Sequence, residues 1–160
     1  MKKLLKNPAQ IVTINTNGKN IKRGKELKEI NLLIDHSIVI EDNKIKDLIP
    51  SASIKNNFDE VIDLNNKIVL PGLVECHTHT LFAGSRGYEF RKKLNGISYE
   101  EITRQGGGIN ATVQSVRSAS FKELAEIAKP RINYFISQGI TTLEIKSGYG
   151  LDTNSEIKML

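Results

Sequence analysis

The stretch Val69-Leu70-Pro71-Gly72-Leu73-Val74-Glu75-Cys76-His77-Thr78-His79 constrains this chain more than any other. It reads as an apolar strand that finishes in two histidines one residue apart. On an extended segment alternate side chains leave the same face, so the His77 and His79 imidazoles project together, their Cα atoms roughly 7 Å apart. Two such rings can converge on one cation at about 2.0 to 2.1 Å per nitrogen, whereas a helical spacing of two would splay them. Catalytic sites of the zinc type take about three protein ligands and a water, so this pair is an incomplete set. His36 is the only other histidine and lies in a separate segment. Cys76 points to the opposite side of the strand and reads as buried rather than ligating.

Composition narrows the class. Of 160 residues, 39% are hydrophobic and 26% charged, which describes a globular protein. No apolar run approaches the roughly 18 residues of a membrane-spanning helix. Lys6, Asn7 and Pro8 interrupt the apolar core that Met1 to Leu5 would need as a signal peptide, so a cytoplasmic protein without a membrane partner is expected. A net charge of +5 raises nucleic acid as a partner. The densest basic stretch, Lys19, Lys22, Arg23, Lys25 and Lys28, is interleaved with Glu26 and Glu29, and it reads as a solvated face. With Cys76 as the sole cysteine, neither an intrachain disulfide nor a cysteine-only zinc site can form.

Two regions differ in pattern. Residues 1–66 read as short strands and turns: Ile11 to Ile14 before Asn17-Gly18, a hairpin of Ser37 to Ile40 and Ile45 to Ile49 around Asp42-Asn43, and a strand-turn-strand through Asn65-Asn66. Residues 67–160 alternate apolar strands with longer helical segments, as parallel βα units do. Ser98 with Glu101, Ser120 with Glu123 and Thr153 with Glu156 match the capping box. The second opens a helix whose Leu124, Ile127, Ala128, Ile132, Phe135 and Ile136 share a face, kinked at Pro130 and ending at Gly139. Ile140 to Lys146 then reads as a strand with Glu144 and Lys146 on its polar face, close enough to pair.

The run from Pro71 to His79 resembles the first barrel strand of the amidohydrolase superfamily. The segments His77 to Arg86, Tyr88-Glu89-Phe90, Ser98 to Ile102, Gly106 to Ile109 and Glu144 to Leu151 are similar, in order, to the imidazolonepropionase family within it. The resemblance departs from the superfamily at Glu75, where aspartate is usual. It implies an α/β protein: part of a TIM-barrel hydrolase domain over 67–160, preceded by the N-terminal part of a small β-sandwich over 1–66. Residues 67–160 could supply at most about three of eight barrel units, so the chain reads as an N-terminal fragment.

The same resemblance implies one zinc or iron ion per subunit, with His77 and His79 as two ligands and the others on later strands. It implies hydrolysis of the ring amide of 4-imidazolone-5-propanoate to N-formimidoyl-L-glutamate, in histidine degradation, by water that the metal activates. No catalytic residue beyond the metal ligands is expected within the chain. Arg86, a planar guanidinium suited to the substrate's carboxylate, and Tyr149 and Tyr99 are the implied substrate contacts. A homodimer is implied for the full-length protein. Gly106-Gly107-Gly108 lacks the lysine and hydroxyl of a phosphate loop and reads as a mobile loop near the substrate. Two other readings stay open: a different amidohydrolase, such as a deaminase or a dihydroorotase-like ring opener, and a non-catalytic fragment.

Overall fold

Paired residues that accept positive φ set the turns of the first part of the chain. Asp42 and Asn43 have φ of 50° and 63°, the left-handed pair of a tight hairpin. They join β4 (His36–Glu41) to β5 (Lys44–Pro50) in antiparallel register, as the sequence predicts. The computed structural model describes residues 1–55 and 57–160, which divide into two units, Met1–Pro71 and Gly72–Leu160.

In the first unit, β1 (Lys2–Lys6) and β6 (Glu60–Asp63) complete a sheet of order β5-β4-β1-β6. A second sheet runs β3-β2-β7, from β2 (Gln10–Val12), β3 (Leu32–Leu33) and β7 (Ile68–Val69). The turn at Asn65-Asn66 forms as read, with φ of 48° and 65°, but its strands do not pair with each other. β6 runs parallel to β1, and β7 runs parallel to β2. The chain also turns between β1 and β2, where Asn7 has φ 56° and its carbonyl accepts the Asn66 amide at 3.0 Å. Both segments therefore leave one sheet for the other side by side. Because β7 hydrogen-bonds to β2, residues 67–71 fall in the first unit, and the division comes five residues later than the pattern change at residue 66. Leu4, Ile11, Ile38 and Val39 are its buried apolar residues.

The second unit carries the parallel pair β8 (Leu73–Thr78) and β9 (Ile140–Ile145). Between them run α1 (Gly87–Leu94), α2 (Tyr99–Arg104), α3 (Ile109–Ser118) and α4 (Phe121–Ser137), and α5 (Thr153–Met159) follows. The architecture is mixed α/β. Of the three predicted capping boxes, that of Ser120 and Glu123 forms in full, while at α2 the Ser98 hydroxyl accepts the Glu101 amide but the Glu101 carboxylate turns to Arg104 and Gln105. The third is corrected. Asp152 caps α5 by accepting the Ser155 amide at 2.9 Å, which frees Glu156 for the preceding loop. α4 continues through Pro130 and stops before Gly139, whose φ is 81°. Leu124 is buried on its inner face while Ile136, expected there, is exposed. Ala83, Val116, Leu124 and Met159 form the core, with Phe82 and Tyr149 packed against it. Among the described residues, no helix is long and apolar enough to cross a membrane.

Gly72 makes the entry to β8 possible. A Cβ there would overlap the Thr141 side chain, Cβ included, so rotation of Thr141 alone cannot clear it. Gly72→Ala is expected to destabilise the second unit by about 1 to 3 kcal/mol, the range for forced overpacking. Chemical denaturation followed by far-UV circular dichroism checks this, against Gly87→Ala, where the nearest atom to an added Cβ is Ser85 Oγ at an ordinary 3.6 Å.

Candidate functional site

The site is built at the C-terminal end of β8 by the ladder to β9. The Thr78 hydroxyl donates to the Glu144 carbonyl at 2.8 Å, the Lys146 amide donates to the Thr78 carbonyl at 2.8 Å, and the Thr78 amide donates to Glu144 Oε2 at 3.1 Å. Thr78 is thus held on three sides, and the flanking histidines emerge from a fixed backbone. Their ring centroids lie 5.5 Å apart with planes at 90°. Two imidazoles that share one tetrahedral cation at about 2.0 to 2.1 Å per nitrogen have centroids about 5 Å apart, so the pair is close to that arrangement.

Three observations bear on a metal. His77 is accessible, its side chain 61% exposed, with Nδ1 at 3.9 Å from Glu144 Oε2. His79 is half-buried, and its Nδ1 is a buried side-chain atom without a hydrogen-bond partner among the described residues. An unpaired buried nitrogen costs about 1 to 3 kcal/mol, so the ring is shaped for a partner that these residues do not supply. Imidazole nitrogens beside a carboxylate are the donors that zinc and iron accept, so the residues present fit part of such a site. Among the described residues, no group of three or more His, Cys, Asp and Glu side chains gathers closely enough to hold an ion.

The other predicted residues divide. The Tyr149 ring lies 5.0 Å from the His79 ring, and Tyr149 and Arg86 line one open cleft of ≈ 230 Å³ with Phe82, Gly84 and Thr112. Tyr99 does not line it. A Cβ on Gly108 would lie 3.0 Å from the Tyr99 hydroxyl, and the Lys93 ammonium sits over the Tyr99 ring. A larger cleft of ≈ 490 Å³ flanks His79 on the α4 side, walled by Phe82, Pro130, Tyr134 and Phe135. Its arginine, Arg131, donates through Nη1 to the Thr80 and Phe82 carbonyls and stacks on Phe82. The smaller cleft is therefore the one suited to an anion.

Three glutamates hold the site and escaped the sequence reading. Glu144, expected to pair with Lys146, turns instead to Thr78 and His77. Glu89, nearly fully buried, joins Arg86 to the Gly108 amide. Glu156 accepts the amides of Gly148, Gly150 and Leu151 at 2.6, 2.8 and 2.7 Å, which fixes the loop bearing Tyr149. The i,i+3 spacing of Arg86 and Glu89 was the one available signal. Cys76 is exposed rather than buried. The β8 register leaves that side of the strand uncovered, with Val74 also exposed. His36 lies in the first unit, its Nδ1 2.7 Å from the Ile34 carbonyl.

No family model matches the chain. An imidazolonepropionase of Bdellovibrio bacteriovorus is 42% identical over 164 residues, which cover 98% of this chain and 38% of that protein. One of Clostridium tetani is 42% identical over 161 residues, again 98% and 38%. One of Photorhabdus laumondii is 45% identical over 129 residues, 81% and 31%. The chain resembles imidazolonepropionase in part. It spans 31–38% of the length of these curated relatives. A solved triazine hydrolase from Arthobacter aurescens aligns over 99% of this chain and 32% of its own, with 16% identity and a TM-score of 0.47, too low to assign a fold.

Burial works against ionisation of Glu156, but the amides of Leu151, Gly148 and Gly150 and the Ser147 hydroxyl hold its pKa below the usual 4.5. A depressed carboxylate contributes stability that is present above its unfolded pKa and lost as pH falls through the folded value. The chain is therefore expected to lose stability as pH drops below about 4.5, and Glu156→Gln is expected to flatten part of that slope. Thermal melting of both proteins from pH 6 to 3 reads the difference.

Proposed function

We propose that this chain is the N-terminal part of an imidazolonepropionase. In this reading the whole protein is a metal-dependent cyclic amidohydrolase that opens the ring amide of 4-imidazolone-5-propanoate to give N-formimidoyl-L-glutamate, a step of histidine degradation in the cytoplasm. The observation that carries it is the convergence of His77 and His79 at the end of β8 beside a cleft lined by Arg86 and Tyr149. The relatives at 42–45% identity support the same reading.

The expected architecture is the first part of a TIM barrel, residues 67–160, after part of a β-sandwich. The parallel β8 and β9 joined through helices support it, as do Val74, Phe121 and Ile157, which are exposed apolar residues that further strands and helices would cover. His77 and His79 are the residues that hold the zinc or iron ion, together with ligands from later in the protein. When bound, the metal supplies a Lewis acid and an acidified water. Glu144 Oε2 stands 3.9 Å from His77 Nδ1 and places a negative charge beside that ring. Arg86 orients the propionate of the substrate through parallel hydrogen bonds, and the Tyr149 phenol, on a ring 5.0 Å from that of His79, contacts the substrate ring. Tyr99, which stands off the cleft, bears on the substrate through Gly108. The full-length protein is expected to be a homodimer that binds neither nucleic acid nor membrane.

Activity of the complete gene product, followed by loss of imidazolone absorbance, is expected to require added zinc or iron and to fall at least about a thousandfold in His77→Ala. Arg86→Ala is expected to raise KM on the order of tenfold to a hundredfold, with a smaller effect on kcat. Undiminished turnover in His77→Ala would overturn the reading. Indifference to Arg86→Ala, with metal dependence intact, would favour an amidohydrolase acting on an uncharged ring.

A further inference from the structure

Glu89 is the most deeply buried acidic side chain of the molecule among the described residues, at 3% exposure. A carboxylate is taken out of water only where charge and hydrogen bonds compensate. Two partners do so here. Oε2 lies 3.5 Å from Arg86 Nε, and Oε1 accepts the Gly108 amide at 2.7 Å. Gly108 caps α3 with φ 74°, and a Cβ on Gly107 would press on Glu89 Oε1 at 2.9 Å, so the glycines let the loop close down on the carboxylate. Arg86 itself precedes α1, and Glu89 lies in the first turn of that helix, where a negative charge is favoured.

The contact reaches the guanidinium from its Nε side. That leaves the edge formed by the two Nη atoms for a ligand. We propose that Glu89 is a positioning residue: it fixes Arg86 against the Gly106–Gly108 loop so that the guanidinium presents its Nη edge to the carboxylate of the substrate. This rests on the reading of Arg86 as the carboxylate-binding residue and goes beyond it by assigning the group that aims it. An arginine side chain loses much rotamer freedom on binding an anion, and a fixed guanidinium has that ordering behind it before the anion arrives. Tyr99 enters the same arrangement because its hydroxyl lies against Gly108.

Glu89→Gln separates the two roles of the side chain. Its amide oxygen can still accept the Gly108 amide, while its NH₂ group faces Arg86 without the charge. Binding is measured rather than turnover, by calorimetry on the zinc-loaded complete gene product. The probes are 3-(imidazol-4-yl)propanoate and 4-propylimidazole, which differ in the carboxylate. The wild type is expected to prefer the carboxylate probe, and Glu89→Gln to cut that preference about tenfold while its affinity for 4-propylimidazole stays within about twofold. In an Arg86→Ala background the Glu89→Gln change is expected to do nothing further to the preference. If the wild type shows no preference, the carboxylate reading of Arg86 fails. If the wild type prefers the carboxylate and Glu89→Gln does so equally, the positioning role alone is overturned. Should Glu89→Gln fail to fold, Glu89→Asp, which withdraws the carboxylate by one methylene, is expected to lose the preference, and retention of it overturns the proposal.

Discussion

The second unit turns on the clamp that β9 places on Thr78. Three hydrogen bonds from one short stretch of β9 and its continuation seize a single residue of β8, and the histidines on either side of it inherit that rigidity. A parallel pair needs a long crossover before its strands can meet, so residues 79–139 are positioned by the same ladder. Arg86, Glu89 and the glycine loop all lie in that crossover. The close approach of Gly72 to Thr141 belongs to the same constraint, since it lets β8 start flush against its partner.

Around this ladder, carboxylates do the holding. Glu144, Glu89 and Glu156 each bind backbone amides, and each lies one step away from a residue of the candidate site: His77, Arg86 and Tyr149. A carboxylate suits this work because it accepts several N–H groups at once, and bonds to an ionised acceptor are roughly twice as strong as neutral ones. Basic residues hold the outer shell in the complementary way. Lys158 donates to the carbonyls of Val116, Arg117 and Ala119 at the end of α3, where a positive charge is favoured, and Arg131 closes the loop after β8 through two more carbonyls.

What could be read from the sequence was local. The Asp42-Asn43 hairpin, the Ser120 capping box, the stop at Gly139 and the strand at Ile140 are all encoded by neighbours within about five residues, and they form as read. The convergence of His77 and His79 follows from strand alternation alone. The misses are non-local. β1, Lys2–Lys6, shows no apolar alternation, because as a central strand it is identified by its partners β4 and β6 rather than by its own pattern. The turn at Asn65-Asn66 was legible, but its change of sheet depends on Asn7, which the sequence separates from it by most of the first unit. The Thr153 cap failed because Asp152 competes for the same amides and Glu156 has stronger partners upstream. Cys76 was placed by parity on one side of a strand, and parity does not say whether anything covers that side.

The same distinction separates the residues of the site. Those proposed to meet a ligand, His77, His79, Arg86 and Tyr149, are proposed from residue type and motif, since metal and carboxylate chemistry restrict which side chains can serve. The residues proposed to aim them are glutamates, a residue type common on every surface, and only the i,i+3 spacing from Arg86 separates a buried Glu89 from a solvated Glu100 in the sequence. Geometry supplies the difference. Glu89 is enclosed because Gly107 has no side chain to keep the loop away, and once enclosed it is satisfied by the Gly108 amide and the Arg86 guanidinium. The glycine run that reads from the sequence as a mobile loop is therefore better understood as the space that a buried carboxylate requires.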